Sequence, residues 1–348
     1  MRRSFFILLT VFLTMLGGPA AQPVLAQSAS ENGAVILMYH RFGEADYPST
    51  NVQLAQLDAH IKTLQDGNFT VLPLPDIIAA FERGETLPDR TIAITIDDAF
   101  RSIYEIAWPK FRDAGFPFTV FVATDLVDRG HGNYMTWDQI RELHNAGVTI
   151  GNHSVTHPHL PDRDMAVVRR EIVNAQTRLT EELGVAPTLF AYPFGEASRE
   201  IADLVADLGF VAGFGQHSAV AFAEHDRYYL PRFALNENFG GIERFEIIAN
   251  ALPLRAMDLT PADPTLRGNN PPAFGFSLDP VPGDIGRLNC FAFAQGAIDV
   301  TLQRLGGTRI EVRLAEPIPR GRGRINCTMP AEYDRWRWFG MQYYVPAR

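Results

Sequence analysis

The stretch Thr91-Ile92-Ala93-Ile94-Thr95-Ile96-Asp97-Asp98 decides the fold, because six strand-forming residues run straight into two adjacent acids. Its β-branched side chains suit a pleated surface. A run apolar on both faces fits a strand covered on both sides, as parallel sheets require. Working outward, similar runs recur at 35–39, 118–122, 148–150, 189–192 and 210–212. Between them lie amphipathic stretches. Leu54, Leu57, Ile61 and Leu64 form a stripe at helical spacing, and 102–114, 136–146, 163–183 and 198–208 predict helices. Gly115, Gly147, Gly184 and Gly209 follow four of these as stop signals. Repeated strand–helix units of this length predict an α/β fold that closes as a (β/α) barrel over 34–252.

The chain has 348 residues, 46% of them hydrophobic, which is enough for a large core and a smaller module. Its net charge is −9. A negative surface excludes general nucleic-acid binding, which needs a basic face. Residues 1–26 read as an export signal. Arg2 and Arg3 precede an apolar core that is short for a bilayer span, and Val24-Leu25-Ala26 suits cleavage. The expectation is a periplasmic or extracellular protein with no stable membrane span after cleavage. Cys290 and Cys327 are the only cysteines, and export permits them to form a disulfide. Seven prolines fall within 253–282, which reads as a linker or irregular layer. Beyond it, 297–302 and 308–314 alternate with period two, so 283–348 predicts a small β-rich module. There, Trp336 and Trp338 could stack on sugar rings or simply fill a core.

The chemistry gathers at strand ends. Neighbours in a strand face opposite ways, so Asp97 and Asp98 can share a site only where the strand curves into a loop. In a barrel that place is the C-terminal mouth. His153 and His157 follow another apolar run. Four residues apart on a helical turn they would share a face, although Pro158 argues for a short or irregular turn. One carboxylate and two imidazoles can hold a zinc-like ion and leave a second carboxylate to act as a base. Tyr192-Pro193-Phe194-Gly195 ends a third run and can wall a groove. His159 is assigned to the rim. No Gly-x-Ser-x-Gly elbow is present, which disfavours a serine esterase. Adjacent carboxylates are awkward for a glycosidase, whose two acids flank the bond.

Together, Thr95-Ile96-Asp97-Asp98, His153-Ser154-Val155-Thr156-His157 and Tyr192-Pro193-Phe194-Gly195 resemble the NodB-homology polysaccharide deacetylases, carbohydrate esterase family four. The resemblance covers roughly 34–250. It implies a distorted (β/α) barrel, Asp97 as base, and Asp98, His153 and His157 as ligands of one divalent ion, usually Zn2+. The implied reaction removes acetyl groups from an N-acetylglucosamine-type polysaccharide or oligosaccharide, or from O-acetylated polymers. Two departures stand out. Ala99 replaces a customary glycine, and Ala191 stands near the place of an arginine that orients the base. Leu37-Met38-Tyr39-His40-Arg41 and Tyr229-Leu230-Pro231-Arg232-Phe233 resemble the permuted poly-N-acetylglucosamine deacetylases. That subgroup makes His40 the general acid and Arg232 a supporting residue.

Overall fold

The computed structural model describes residues 31–347; the expected export signal lies outside them. Parallel strands β1 (Ala34–Tyr39), β2 (Thr91–Asp97), β3 (Thr119–Val122), β4 (Thr149–Asn152), β5 (Leu189–Ala191), β6 (Ala212–Phe214) and β7 (Phe233–Ala234) form a curled sheet, with Thr70–Val71 added beside β2. Its order is β7-β1-β2-β3-β4-β5-β6. One segment joins the two ends, because Leu230 bridges Phe214 while Phe233 pairs with Leu37. Helices α1 (Leu54–Asp66), α2 (Leu74–Arg83), α3 (Trp108–Ala114), α4 (Thr124–Asp128), α5 (Trp137–Asn145), α6 (Met165–Leu183), α7 (Arg199–Asp207) and α8 (Ile242–Ala249) belong to this α/β unit. The strands are buried along their length, which is why their sequences are apolar on both faces.

Register sets the site. Tyr39 pairs with Ile96, Asp97 with Phe121, Val122 with Asn152, and Asn152 with Phe190. The strands therefore end level, and the residues after them meet at one rim.

Residues 253–282 differ from the expected linker. The sandwich begins with β8 (Leu252–Pro253), β9 (Ala256–Thr260) and β10 (Phe274–Leu278). The prolines fall mainly between or beside these strands, where no ladder N–H is needed. β11 (Asn289–Phe293), β12 (Ala297–Ile298), β13 (Val300–Leu305), β14 (Arg309–Leu314), β15 (Gly321–Pro330) and β16 (Trp336–Val345) complete two sheets, ordered β8-β16-β15-β11-β12 and β9-β10-β14-β13. Phe274, Phe276, Ile310 and Val312 of one sheet share a core with Ile325, Cys327, Phe339 and Met341 of the other. Cys290 and Cys327 are opposite each other on β11 and β15, and their sulfurs are bonded.

Candidate active site

Asp97 is the last residue of β2, and both Asp98 (φ 75°) and Ala99 (φ 58°) then take left-handed backbone. That reversal solves the problem of two neighbouring carboxylates: the chain turns at once, so both acids face the mouth. Non-glycine residues adopt this region at a cost of about 1–2 kcal/mol each, and such strain collects at functional sites.

His153 follows β4. The segment 153–157 is not helical, contrary to the shared-face expectation, since Ser154 (φ 68°) and His157 (φ 55°) are both left-handed. Glu171 of α6 holds the segment. Its Oε2 accepts from Val155 N–H (3.0 Å) and Thr156 N–H (2.8 Å), and its Oε1 accepts from the Thr156 hydroxyl. The loop still brings both histidines to Asp98. His153 Nε2 lies 3.6 Å and His157 Nε2 3.5 Å from Asp98 Oδ1.

These three side chains fit a metal ion. His153 Nδ1–H donates to Ala191 O at 2.7 Å, which fixes the tautomer and turns the Nε2 lone pair toward Asp98. That Nε2 is buried without a hydrogen-bond partner. Ligands about 2.0–2.1 Å from a tetrahedral ion stand roughly 3.3–3.4 Å apart, close to the separations seen. A direct hydrogen bond would be shorter, about 2.7–3.0 Å. Burial pushes His153 down to about 3 and His157 down to about 4, so both are neutral donors at pH 7. Burial, opposed by His40 and reinforced by the Asp97 charge, pushes Asp98 up to about 6, a placement that a cation would relieve.

Asp97 has a different environment. Burial alone would raise its carboxyl, but Arg232, followed by His153, holds it well below the usual carboxylate range. Arg232 is fully buried and bidentate: Nη1 donates to Oδ1 at 2.7 Å and Nη2 to Oδ2 at 2.8 Å. His40, just past β1, places Nε2 3.9 Å from Asp97 Oδ2 and is 13% exposed.

The Tyr192–Gly195 turn is divided in role. Tyr192 is fully buried and its hydroxyl donates to Tyr228 O, so its side chain is structural and does not reach a substrate. Pro193 and Gly195 are buried as well. Tyr192 N–H donates to Phe214 O and Gly195 N–H to Tyr192 O, which leaves Phe194 N–H as the turn's candidate donor. The Phe194 ring packs edge-on against His157 (4.4 Å) and stacks on His159 (4.3 Å). His159 sits at the rim, its Nδ1 2.7 Å from Glu196. Trp338 packs against Phe233 instead of facing solvent for sugar stacking. The sequence carried no sign of the Glu171 anchor or of the Ala191 carbonyl, because neither residue type is distinctive.

Residues 84–213 match the family model for polysaccharide deacetylase. The chain therefore carries a polysaccharide deacetylase domain over these residues. His40 and Arg232 lie outside the matched residues, yet they stand at the same site. The poly-beta-1,6-N-acetyl-D-glucosamine N-deacetylase of Staphylococcus aureus (strain MRSA252) is 23% identical over 236 residues, covering 60% of this chain and 80% of that relative. The fold is similar to that of the Streptococcus pyogenes deacetylase PplD, with a TM-score of 0.58 and 22% identity over 62% of this chain and 97% of that one. IcaB from Ammonifex degensii is alike at a TM-score of 0.56 and 21% identity, covering 63% and 98%. No helix among the described residues is long and apolar enough to cross a membrane.

Proposed function

We propose that this protein removes N-linked acetyl groups from N-acetylglucosamine polymers after export, using a divalent ion, zinc above all. The observation that carries this reading is a single cluster in which Asp98, His153 and His157 stand together beside an arginine-paired Asp97. Those three would hold the ion, which when bound supplies Lewis acidity to activate water and polarise the acetyl carbonyl.

The other residues supply proton handling and orientation. Asp97, kept ionised by Arg232, accepts a proton from the attacking water. Arg232 fixes both carboxylate oxygens and so aims the base. Phe194 N–H is suited to stabilise the developing oxyanion. His40, with its Nε2 3.9 Å from Asp97 Oδ2, donates a proton to the departing amine nitrogen.

The test is acetate release from an N-acetylglucosamine oligomer, with O-acetylated xylan as a parallel substrate and metal content measured on the same samples. Release from the first and not the second is expected. General acid catalysis is worth about 10²–10⁴ in rate, so His40→Ala falls by that factor and keeps its metal. His153→Ala loses both. A fully active His40→Ala protein overturns the acid assignment, and wild-type protein inert on both substrates overturns the function.

A further inference from the structure

The five-stranded sheet turns one face into the sandwich core and the other outward. On β11 the alternation is strict: Cys290 and Ala292 are buried, whereas Phe291 is 61% and Phe293 55% exposed. Phe291 pairs with Asn326 and Phe293 with Arg324 on β15, and Arg324 pairs with Gln342 on β16. Cross-strand partners share a face; Phe291, Phe293 and Arg324 lie on its open part, while Gln342 on the same face is buried.

At β16 that surface meets the active-site rim. Gln342 Nε2–H donates to Phe194 O at 3.0 Å, and Tyr344 lies parallel to His159 at 6.1 Å. Arg322 holds its guanidinium 5.6 Å from the Phe194 ring and is 38% exposed. The face is therefore continuous from Phe194, which touches His157, across Arg322 and Arg324 to the two phenylalanines. With strands about 4.8 Å apart, Phe293 is roughly 10 Å from Gln342.

We propose that Phe291, Phe293 and Arg322 form a second carbohydrate site, which grips the polymer several sugars away from the unit being deacetylated. This rests on the polysaccharide reading above. The chemistry fits that occupant. A pyranose ring offers a C–H face that packs on a phenyl ring, and its hydroxyl and acetamide oxygens accept from a guanidinium. Exposed aromatics in a contiguous patch mark a binding surface. Here the patch is narrow, interleaved with polar donors and joined to the catalytic mouth, which favours an extended sugar chain over a broad protein partner.

The Phe291→Ser/Phe293→Ser double variant tests the proposal against wild type. Both are assayed on an N-acetylglucosamine pentamer and on poly-N-acetylglucosamine, and are run through native gels cast with the polymer. Expected are a KM for polymer raised roughly tenfold, as for loss of an aromatic anchor, unchanged kcat and pentamer kinetics, and lost retardation in the gel. Phe293→Trp, with a larger ring, should be retarded more than wild type. Unchanged polymer KM and retardation overturn the proposal, as does an equal loss on pentamer and polymer. A wild-type dimer that the double variant converts to monomer, with polymer kinetics intact, makes this face an interface between copies instead. Wild-type protein that is retarded but releases no acetate overturns the deacetylase reading and leaves this site standing.

Discussion

Arg232 makes four hydrogen bonds: two to Asp97, one to Thr95 Oγ1 at 3.2 Å and one to Gly215 O at 2.9 Å. A lysine keeps the charge and cannot reproduce the planar fork. Arg232→Lys should therefore lower acetate release at least about tenfold, with bound metal retained, because the base loses its aim. Activity within twofold of wild type would remove Arg232 from the positioning role. The sequence displayed this residue without its reason. Ala191 stands where the resemblance places an orienting arginine, and it is a short, buried side chain at the end of β5. The structure supplies the missing guanidinium from across the barrel, just before β7, a pairing 135 residues apart. No spacing rule reads a contact at that distance. His40, by contrast, was legible because it ends an apolar run, as Asp97 does.

At the scale of elements, β3 and β4 fix the floor of the site through one small residue. Gly151 of β4 pairs with Phe121 of β3. A Cβ at Gly151 would come within 2.5 Å of Phe121 Cε1 and 3.2 Å of Leu189 O. Phe121 has nowhere to go, since it is fully buried, packs on Phe214 at 5.6 Å and lies 5.3 Å from the Arg232 guanidinium. Overpacking of this kind costs about 1–3 kcal/mol. Gly151→Ala should lower the unfolding free energy by that amount and also reduce activity, by displacing Phe121 beneath Arg232. Denaturant titration beside an acetate assay checks both, and a variant unchanged in each would show that the strands absorb a methyl here. Most barrel elements were readable from period and glycine stops. The exceptions have local causes. Helix α2 is not among the helices predicted from sequence; its Pro75 occupies the first turn, where no N–H is needed. The 153–157 segment has helical spacing, but side-chain bonds to Glu171 and two left-handed residues shape it. The proline-rich stretch hid β9 and β10, because proline density marks loops and says nothing of the short alternating runs between them.

Over the whole molecule, the first and last helices of the α/β unit are clasped by His60. Its ring, on α1, stacks on Phe245 of α8 at 4.0 Å. Nε2–H donates to Gly240 O at 2.8 Å, and Nδ1 accepts from the Tyr39 hydroxyl at 3.2 Å. Tyr39 is itself the last residue of β1, directly before His40, so one buried chain of contacts ties the unit's closure to the catalytic mouth. Burial, partly offset by the Gly240 bond, lowers His60 to about 4. The unfolded chain takes up this proton near 6.5. Between those values the unfolded state binds a proton that the folded state refuses, so the contribution is intact above pH 6.5 and is lost as pH falls toward 4. At pH 5 the loss from His60 alone is about 2 kcal/mol relative to pH 7.5. His217 and His225, both lowered to about 3 by burial, and the site histidines His153 and His157 add to the wild-type slope in the same direction. Subtraction isolates His60. His60→Gln retains hydrogen-bonding groups but cannot titrate, so its unfolding free energy should drop by about 2 kcal/mol less between pH 7.5 and 5 than that of the wild type. Equal drops in the two proteins would mean that the clasp opens enough for His60 to protonate in the folded state. The acid sensitivity would then belong to the other buried histidines, His153, His157, His217 and His225, and not to closure of the ring.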